Sequence, residues 1–348
     1  MGEHEYQHLV PQTYLHAWSK NGTNVCQLDK DKTLVKPARI DNNFGIKHEY
    51  SIVPGLLHLS DAQCDTFFQM MEGYTVTHDG TTLDSPELLN RFFPFYAEWT
   101  ILDTDGNPLG KKRKVTLRQA TTKQKDFILE TGHIKHYEDK WPKMRDELTS
   151  RAFQSSKKTI DEFNRGFFIR YMVIQHWRGF GHSAAENRAF EFIDSIIPFS
   201  ETDIPREQRM YVGSINLEED LRHEIRLNYL QRFFNNEGPI YNQSQWLLQN
   251  STLGIYLASG SYSFLSSDTP CFAYRDSTVQ LVFPITPRVL IALQPRTKSC
   301  SYPVIRLNDA DVRKINDTIF LSAKRYLISR NKSDFYCCSR LAKELLAK

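Results

Sequence analysis

The spacing of apolar residues changes along this chain, and that change limits the folds it can form. From about 122 to 234 apolar residues recur every three or four positions, as in amphipathic helices. Beyond Gln245 they recur every second position, and strands are predicted at 254–258, 262–265, 279–283 and 289–293. Helices followed by strands predict an α+β fold with a central helical block, a mainly antiparallel C-terminal sheet and a small N-terminal α/β piece.

The same patterns predict individual elements. Helices are expected at 123–149, 159–178, 184–197, 217–234 and, closing the chain, 308–329. A hairpin is expected from 95–102 and 112–117 around the turn Asp105-Gly106. The predicted segments are an N-terminal motif segment (1–56), a helix plus basic hairpin (57–121), a helical block (122–240) and a sheet with closing helices (241–348), packed as one unit.

Composition narrows the class of protein. The formal charge of +3 over 348 residues is too small to imply nucleic acid by itself. The six cysteines include no C-x-x-C pair, which favours a reduced cytoplasm. The N-terminus lacks the pattern of a signal peptide, and no window holds the roughly 18 apolar residues of a membrane span. A cytoplasmic protein without a membrane partner is therefore expected.

The first candidate site residue is His8, which lies three residues before Pro11. Pro11 is typical of the start of a helix, where free amides favour anions and a neutral imidazole. A neutral histidine beside an anion site is a candidate general base for phosphate chemistry, and Gln12 beside it is assigned to substrate binding. The alternative is that His8 only hydrogen-bonds the loop entering the helix.

An ordered set of motifs runs along nearly the whole chain. It comprises His8-x-Val10-Pro11-Gln12-x-Tyr14-Leu15-x-x-Trp18, Tyr50, Glu138, Gln175-x-x-Arg178, Ser267-Asp268-x-Pro270, Pro284-x-x-Pro287, Asn316, Ser322 and Ala323. The set resembles the bacterial family called domain of unknown function 4238. Some members of that family lie beside anti-phage defence genes, which implies a toxin-like or nuclease-like effector. The family supplies no catalytic residues.

This chain departs from the family pattern at several places. The family often has paired histidines where this chain has Gln7-His8, and phenylalanine where it has Trp18. It often has asparagine where this chain has Thr269. The region from about 72 to 120 resembles an insertion.

Three further motif residues are candidate catalytic residues. Asp268 follows a predicted strand, a rigid place for a metal-binding carboxylate, although Asp before a small residue and Pro is also ordinary turn chemistry. Gln175 and Arg178 share one helical face, so Arg178 either clamps a substrate phosphate beside Gln175 or pairs with Glu138 or Asp268. Glu138 and Asp268 are the candidate ligands of Mg²⁺ or Mn²⁺. Glu138 follows His133 and His136, whose i, i+3 spacing could bind a metal if both faced inward. The alternative is a solvated helix face, which the charged residues around them favour.

A run of cations is the strongest charge feature of the chain. Lys111, Lys112, Arg113 and Lys114 are followed by Arg118, Lys123 and Lys125, with no acidic residue between 111 and 125. The first four are assigned to phosphate binding. The alternative is a solvated hairpin edge that the charges protect from pairing.

These residues lead to competing functional hypotheses. The leading one is a bacterial defence or toxin-type effector that cleaves nucleic acid as a metal-dependent phosphodiesterase, with His8, Asp268, Glu138 and Arg178 at the site. The second is a non-enzymatic sensor or interaction module for a phage or host protein. A third is an enzyme that consumes NAD or ATP, which no motif in the sequence supports.

One loose pattern suggests another enzyme class. Arg170-x5-His176 fits the R-x(4–6)-H pattern of the helical RNases called higher eukaryotes and prokaryotes nucleotide-binding, but such a pattern should occur roughly twice by chance here. The chain lacks the P-loop, dinucleotide-fold, lipase and zincin motifs.

Overall fold

Helices and strands both contribute extensively to this protein, and the predicted α+β class is confirmed. The computed structural model describes residues 6–56, 58–178, 190–192, 194–196, 198–205, 209, 211, 214–274, 277–296 and 300–346. The chain divides into unit 1, made of Met1–Lys47, Gly132–Glu186 and Arg232–Lys348, and unit 2, made of His48–Thr131 and Asn187–Gln231. Within the described residues, none of the helices combines the length and the apolar character needed to cross a bilayer.

The elements are numbered along the chain. The strands are β1 Tyr6–His8, β2 Asn24–Asp29, β3 Leu34–Arg39, β4 Gly45–Lys47, β5 Thr75–His78, β6 Thr81–Thr82, β7 Thr100–Leu102, β8 Thr159–Asp161, β9 Ser251–Ala258, β10 Ser266–Ser267, β11 Phe272–Tyr274, β12 Ser277–Thr286, β13 Val289–Pro295, β14 Ser301–Leu307 and β15 Tyr326–Ser329. The α-helices are α1 Gln12–Leu15, α2 Asp61–Phe68, α3 Pro86–Phe92, α4 Lys111–Lys123, α5 Ile128–His133, α6 Trp141–Gln154, α7 Arg165–Arg178, α8 Leu217–Phe234, α9 Gly238–Asn250, α10 Asp309–Ser322 and α11 Ser339–Leu346.

Among the described residues, unit 1 contains the antiparallel pair β1 and β4 and two larger sheets. One has the order β11-β12-β13-β9-β14-β8, with its neighbours antiparallel except for the parallel pair β9 and β14. The other has the order β10-β15-β2-β3, so strands from both ends of the chain pair in one sheet. The N-terminal segment therefore completes a sheet whose other strands come from the C-terminal part.

Helix α7 lies at the centre of unit 1. It contacts α9 on one side and the strands β9 and β12 on another. From Phe168 to Arg178 its side chains are buried, apart from half-exposed Arg170 and His176. A helix that is buried almost all round must be central, because only neighbours on several sides can cover it.

Unit 2 contains the antiparallel sheet β6-β5-β7 together with α2, α3 and α4. Its core is aromatic: Phe93 contacts Phe68, Tyr96 and Trp99 with ring centroids 5.5 to 6.1 Å apart. Helix α2 begins at a capping box, in which the Ser60 side chain accepts from the Gln63 amide and the Gln63 side chain accepts from the Ser60 amide.

The predicted basic hairpin is wrong. The turn at Asp105-Gly106 exists, and Thr100–Leu102 is a strand, but the returning chain forms only the bridge between Leu102 and Pro108 before α4 begins. Residues 112–117 are therefore helical. Lysine, arginine, leucine and glutamine are good helix formers, and this local preference prevails over the hairpin suggested by the turn.

Other predicted boundaries differ from the structure. The predicted helix 123–149 is divided among α5, a π-helical segment Ile134–Glu138 and α6. Residues 262–265 are not a strand. The closing helix ends at Ser322 rather than at 329, and residues Tyr326–Ser329 form β15 instead. The prediction at 159–178 places helix where β8 precedes α7, and that at 184–197 lies largely outside the described residues.

Candidate functional site

The N-terminal motif is anchored in the core of unit 1 by Tyr14. Its hydroxyl donates to the Pro284 carbonyl oxygen at 2.6 Å and lies 2.6 Å from Ser266 Oγ. Its ring stacks on Phe283 at a centroid distance of 5.2 Å. Tyr14 is fully buried. Residues more than 250 positions apart therefore meet here, because α1 docks against β10 and β12.

A buried ion pair lies beside this anchor. Arg178, with no exposed surface, donates from Nη1 to Glu138 Oε1 at 2.5 Å and from Nη2 to the His8 carbonyl oxygen at 2.7 Å. Glu138 ends the π-helical segment, and its side chain is 11% exposed. The structure thus brings His8, Glu138 and Arg178 together. Because Arg178 pairs with Glu138, the alternative phosphate-clamp role gains no support.

His8 lies at the outer edge of this cluster. Its Nε2 is 2.7 Å from Gln12 Nε2, so the amide donates to an unprotonated ring nitrogen, and Gln12 is engaged with His8. Burial, and then the positive charge of Arg178, lower the pKa of His8 to about 4. The imidazole is therefore neutral at pH 7, as the sequence suggested. Burial beside an arginine keeps it neutral, whereas the sequence argument had relied on a helix N-terminus.

The low pKa of His8 predicts a pH dependence of stability. The folded-state pKa lies below the unfolded value of about 6.5, so protonation favours the unfolded chain, and stability present above pH 6.5 is lost as the pH falls towards 4. We expect wild type to lose about 2 kcal/mol more between pH 7 and pH 5 than His8→Gln, measured by urea unfolding. Exposed His16→Gln is the control, and equal losses in His8→Gln and wild type would contradict the assignment.

Asp268 has a different environment from the other three candidates. Its Oδ1 accepts from the Lys324 amide at 3.0 Å, and its Oδ2 accepts from the amides of Arg325 and Tyr326 at 2.8 and 3.0 Å. These bonds hold the end of β10 to the start of β15. They also explain why α10 stops at Ser322, since amides 324 to 326 point at a carboxylate.

The predicted metal pair of Asp268 and Glu138 gains no support. Asp268 is engaged by three backbone amides and Glu138 by Arg178, and the two carboxylates share no partner in the described part of the chain. In the part of the chain that the structure describes, no three His, Cys, Asp or Glu side chains are grouped as metal ligands. His133 is buried rather than solvated, and its ring lies against Phe234 at 5.0 Å.

Two buried polar side chains beside the ion pair have no hydrogen-bond partner among the described residues. Gln175 is 1% exposed, and neither its Oε1 nor its Nε2 has a hydrogen-bond partner among the described residues. The same holds for the hydroxyl of fully buried Tyr171, one helical turn earlier. Burial raises the pKa of Tyr171, with the Glu138 charge as a smaller cause, so the phenol stays protonated. The assignment of Gln175 to substrate binding stays a prediction.

Two tyrosines of this region should respond differently to loss of the hydroxyl. Tyr14→Phe removes two hydrogen bonds and should lower the free energy of unfolding by about 1–3 kcal/mol. Tyr171→Phe removes no bond to a described residue and should change it by less than about 1 kcal/mol. Urea denaturation of both variants measures the contrast, and a Tyr171→Phe loss equal to that of Tyr14→Phe would contradict it.

The predicted phosphate-binding cations lie in unit 2, at the start of α4. Lys111, Lys112 and Arg113 are exposed, whereas Lys114 is half-buried and its Nζ donates to the carbonyl oxygens of Ala97, at 3.0 Å, and Trp99. The helix has no acidic residue in its first turn and no side-chain cap. Cations at a helix N-terminus oppose the helix dipole, so this arrangement costs stability.

Grooves flank α4 on two sides. One, of about 720 Å³, is lined by Tyr96, Ala97, Lys111, Lys114, Val115, Arg118, Gln119 and Thr122. The other, of about 370 Å³, is lined by Met70, Tyr74, Leu109, Lys112, Arg113, Thr116, Leu117 and Ala120. Each combines cations with a tyrosine and apolar side chains. The cations of α4 therefore border concave surfaces, which a solvated hairpin edge would lack.

Unit 2 also contains a buried charged cluster that the sequence analysis missed. Arg226 donates from Nη2 to Glu49 Oε1, and the same nitrogen lies 2.9 Å from His223 Nδ1. The Tyr211 ring stacks on His223 at 3.9 Å. Burial, and then the charge of Arg226, lower the pKa of His223. Two signals were present: Glu49 precedes the motif residue Tyr50, and His223 and Arg226 are three apart on a predicted helix.

Comparison with known proteins adds a family and no function. The sequence profile of the family described as protein of unknown function (DUF4238) matches residues 6–333. Neither the curated proteins nor the solved structures contain a match. Because the match covers nearly the whole chain, this protein belongs to the family of proteins of unknown function DUF4238.

Proposed function

We propose that this protein is a bacterial effector that acts on nucleic acid in the cytoplasm and binds the phosphate backbone along α4. The observation that carries the proposal is the exposed run Lys111, Lys112 and Arg113 at the start of a helix without a compensating acid in its first turn. Such a charge arrangement is unfavourable for the folded chain alone, and a polyanionic ligand relieves it. The defence setting comes from the family resemblance.

The carboxylate of Asp103 does not neutralise this run. Arg113 Nη1 lies 4.0 Å from Asp103 Oδ2, with the arginine side chain 66% exposed, so the pair is weak. Lys111 and Lys112 form no ion pair with any residue that the structure describes. Phosphates can therefore approach Lys111 and Lys112 without displacing a described ion pair, and approach Arg113 by displacing only a weak one.

Binding through these cations predicts a strong salt dependence. Fluorescence anisotropy with labelled DNA and RNA oligonucleotides, from 50 to 300 mM salt, measures it. The triple variant Lys111→Gln, Lys112→Gln, Arg113→Gln should bind at least ~10-fold more weakly at 100 mM salt, and its log–log salt slope should be smaller by about 2–3. The slope change follows from three lost phosphate contacts.

The control triple variant changes the net charge equally. Lys20→Gln, Lys157→Gln and Lys332→Gln remove three exposed cations elsewhere. It should bind within about threefold of wild type, because these three lysines belong neither to α4 nor to the grooves beside it. Equal losses in both triple variants would mean that only net charge matters, and no binding by wild type at 50 mM salt would remove the proposal.

The enzymatic form of the proposal is a phosphodiesterase that uses Mg²⁺ or Mn²⁺. His8 is the proposed general base because its ring is neutral, and it can take a proton from an attacking water once Gln12 no longer donates to its Nε2. Gel assays with either metal should then show cleavage by wild type and loss of at least ~100-fold in His8→Gln. His16→Gln controls for loss of an imidazole, and cleavage unchanged in His8→Gln would remove this role.

A second candidate function is a non-enzymatic sensor or interaction module for a phage or host protein. Its support is that the motif residues Tyr14, Arg178 and Asp268 make internal contacts that join distant parts of unit 1. If this account holds, variants of these residues lower the melting temperature and lose function in parallel. A variant that keeps its stability but loses protection against phage would contradict it.

A further inference from the structure

The larger groove beside α4 differs from a flat cationic surface. It lies between α4 and the 3₁₀ segment Phe93–Glu98, has a volume of about 720 Å³ and includes the apolar side chains of Ala97 and Val115. Val115 is 47% exposed, although most of α4 is polar. Pockets of about 300–1,000 Å³ with apolar walls and a few polar groups are typical ligand sites.

Three cations follow one side of this groove. Lys111, Lys114 and Arg118 lie at i, i+3 and i+7 and therefore share a helical face over roughly 10 Å of rise. Two of them are positioned by the protein. The Lys114 ammonium is held by carbonyl oxygens of Ala97 and Trp99, and the Arg118 guanidinium lies 5.9 Å from the Tyr96 ring centroid. None of the residues that line the groove is acidic.

An exposed aromatic ring belongs to the same segment. Phe95, the residue before Tyr96, is 46% exposed. Its ring stacks on His78 at 5.6 Å with an interplanar angle of 17°. A half-exposed ring held in place by a stacked neighbour is the kind of platform on which unpaired bases stack.

We infer that the substrate class is single-stranded nucleic acid, with one or two unstacked bases in the groove and their phosphates on the cations of α4. This inference rests on the proposed function and specifies its ligand. A duplex keeps the faces of its bases stacked inside and exposes only their edges in its own grooves, so no base can enter an apolar groove of the protein. A single strand can turn its bases inward while its backbone follows a row of cations.

The test is a pair of matched variants at neighbouring positions of α4. Val115→Asp places a carboxylate in the larger groove, and Thr116→Asp places one in the smaller groove. Both variants add one negative charge to α4, Val115→Asp beside Lys111, Lys114 and Arg118 and Thr116→Asp beside Lys112 and Arg113. Their difference therefore compares the larger groove with the smaller one at equal net charge. Anisotropy is measured with a labelled 12-nucleotide single strand and with the duplex of the same sequence, after circular dichroism has shown that both variants fold.

We expect wild type to bind the single strand at least ~10-fold more tightly than the duplex. Val115→Asp should weaken single-strand binding at least ~10-fold more than Thr116→Asp does, since a base contact of this kind is worth that much. Phe95→Ala, a neutral change, should weaken it by roughly 5-fold or more. If neither nucleic acid binds wild type at 50 mM salt, the proposed function fails as a whole.

Other outcomes would overturn only the substrate class. Equal affinity for single strand and duplex would mean that the cations bind a backbone and the groove contributes nothing. Equal effects of Val115→Asp and Thr116→Asp would lead to the same conclusion. Displacement of the single strand by a mononucleotide at comparable concentration would show that the groove recognises a free nucleotide.

Discussion

Replacing Arg178 with methionine is expected to lower the free energy of unfolding by about 3–5 kcal/mol. Arg178 is fully buried and neutralises Glu138, whose side chain is only 11% exposed. Without the guanidinium, the Glu138 carboxylate stays buried and uncompensated, and the His8 carbonyl oxygen loses its donor. Urea unfolding followed by circular dichroism at pH 7 measures the loss.

A surface ion pair supplies the control for this prediction. Arg151 donates to Glu147 four residues earlier on α6, with the side chains 46% and 32% exposed. Arg151→Met should therefore cost less than about 1 kcal/mol. The double variant Glu138→Leu with Arg178→Met should recover most of the stability, because two apolar residues leave no buried charge.

The Arg178 variant also separates the two accounts of the motif residues. A loss of several kcal/mol that the double variant restores would support a structural role for the ion pair. A change below about 1 kcal/mol with complete loss of activity would contradict that role and return Arg178 to the list of phosphate-binding candidates.

Replacing Asp268 with alanine is expected to lower the free energy of unfolding by about 2–4 kcal/mol. Three backbone amides, at Lys324, Arg325 and Tyr326, lose their shared acceptor. Hydrogen bonds to a charged acceptor are stronger than average, although water replaces part of the loss at the exposed end. Asp268→Asn should cost less, because one amide oxygen still accepts.

Hydrogen exchange locates the effect of the Asp268 variants. The amides at the start of β15 should exchange faster in Asp268→Ala than in wild type, since they lose the carboxylate that accepts from them and only the backbone pairing with β10 remains. Asp65→Ala, at an exposed position of α2, is the control and should stay within about 0.5 kcal/mol of wild type. Unchanged exchange in β15 together with unchanged stability would contradict the assignment.

Each unit contains one described buried pair of the same chemistry. Glu138 pairs with Arg178 in unit 1, and Glu49 pairs with Arg226 in unit 2. In both, a helix supplies the arginine and a distant segment supplies the glutamate. Buried ion pairs contribute little net stability relative to apolar residues, but a charge that is buried without its partner strongly destabilises the folded chain. We infer that these pairs select the correct docking of each helix.

The amino-acid sequence by itself determined the α+β class, several element positions and the order of the motifs. Both ends of helix α8 were predicted correctly, because a long run of apolar residues at helical spacing indicates a helix whatever the rest of the fold. The pairing of Arg178 with Glu138 was among the suggested alternatives, because a buried arginine requires an acceptor. These conclusions depend on local propensity or on rules that hold in any fold.

The tertiary structure alone decided the environments of the site residues. From the sequence, Asp268 could have bound a metal or formed a turn. Its carboxylate accepts from backbone amides only because residues 324–326 lie beside it. The run from Lys111 is helical by local preference, but the groove beside it exists only because Tyr96 and its neighbours lie next to α4. Partners that lie far apart in sequence set these environments, and spacing along a chain carries no information about which distant groups will meet.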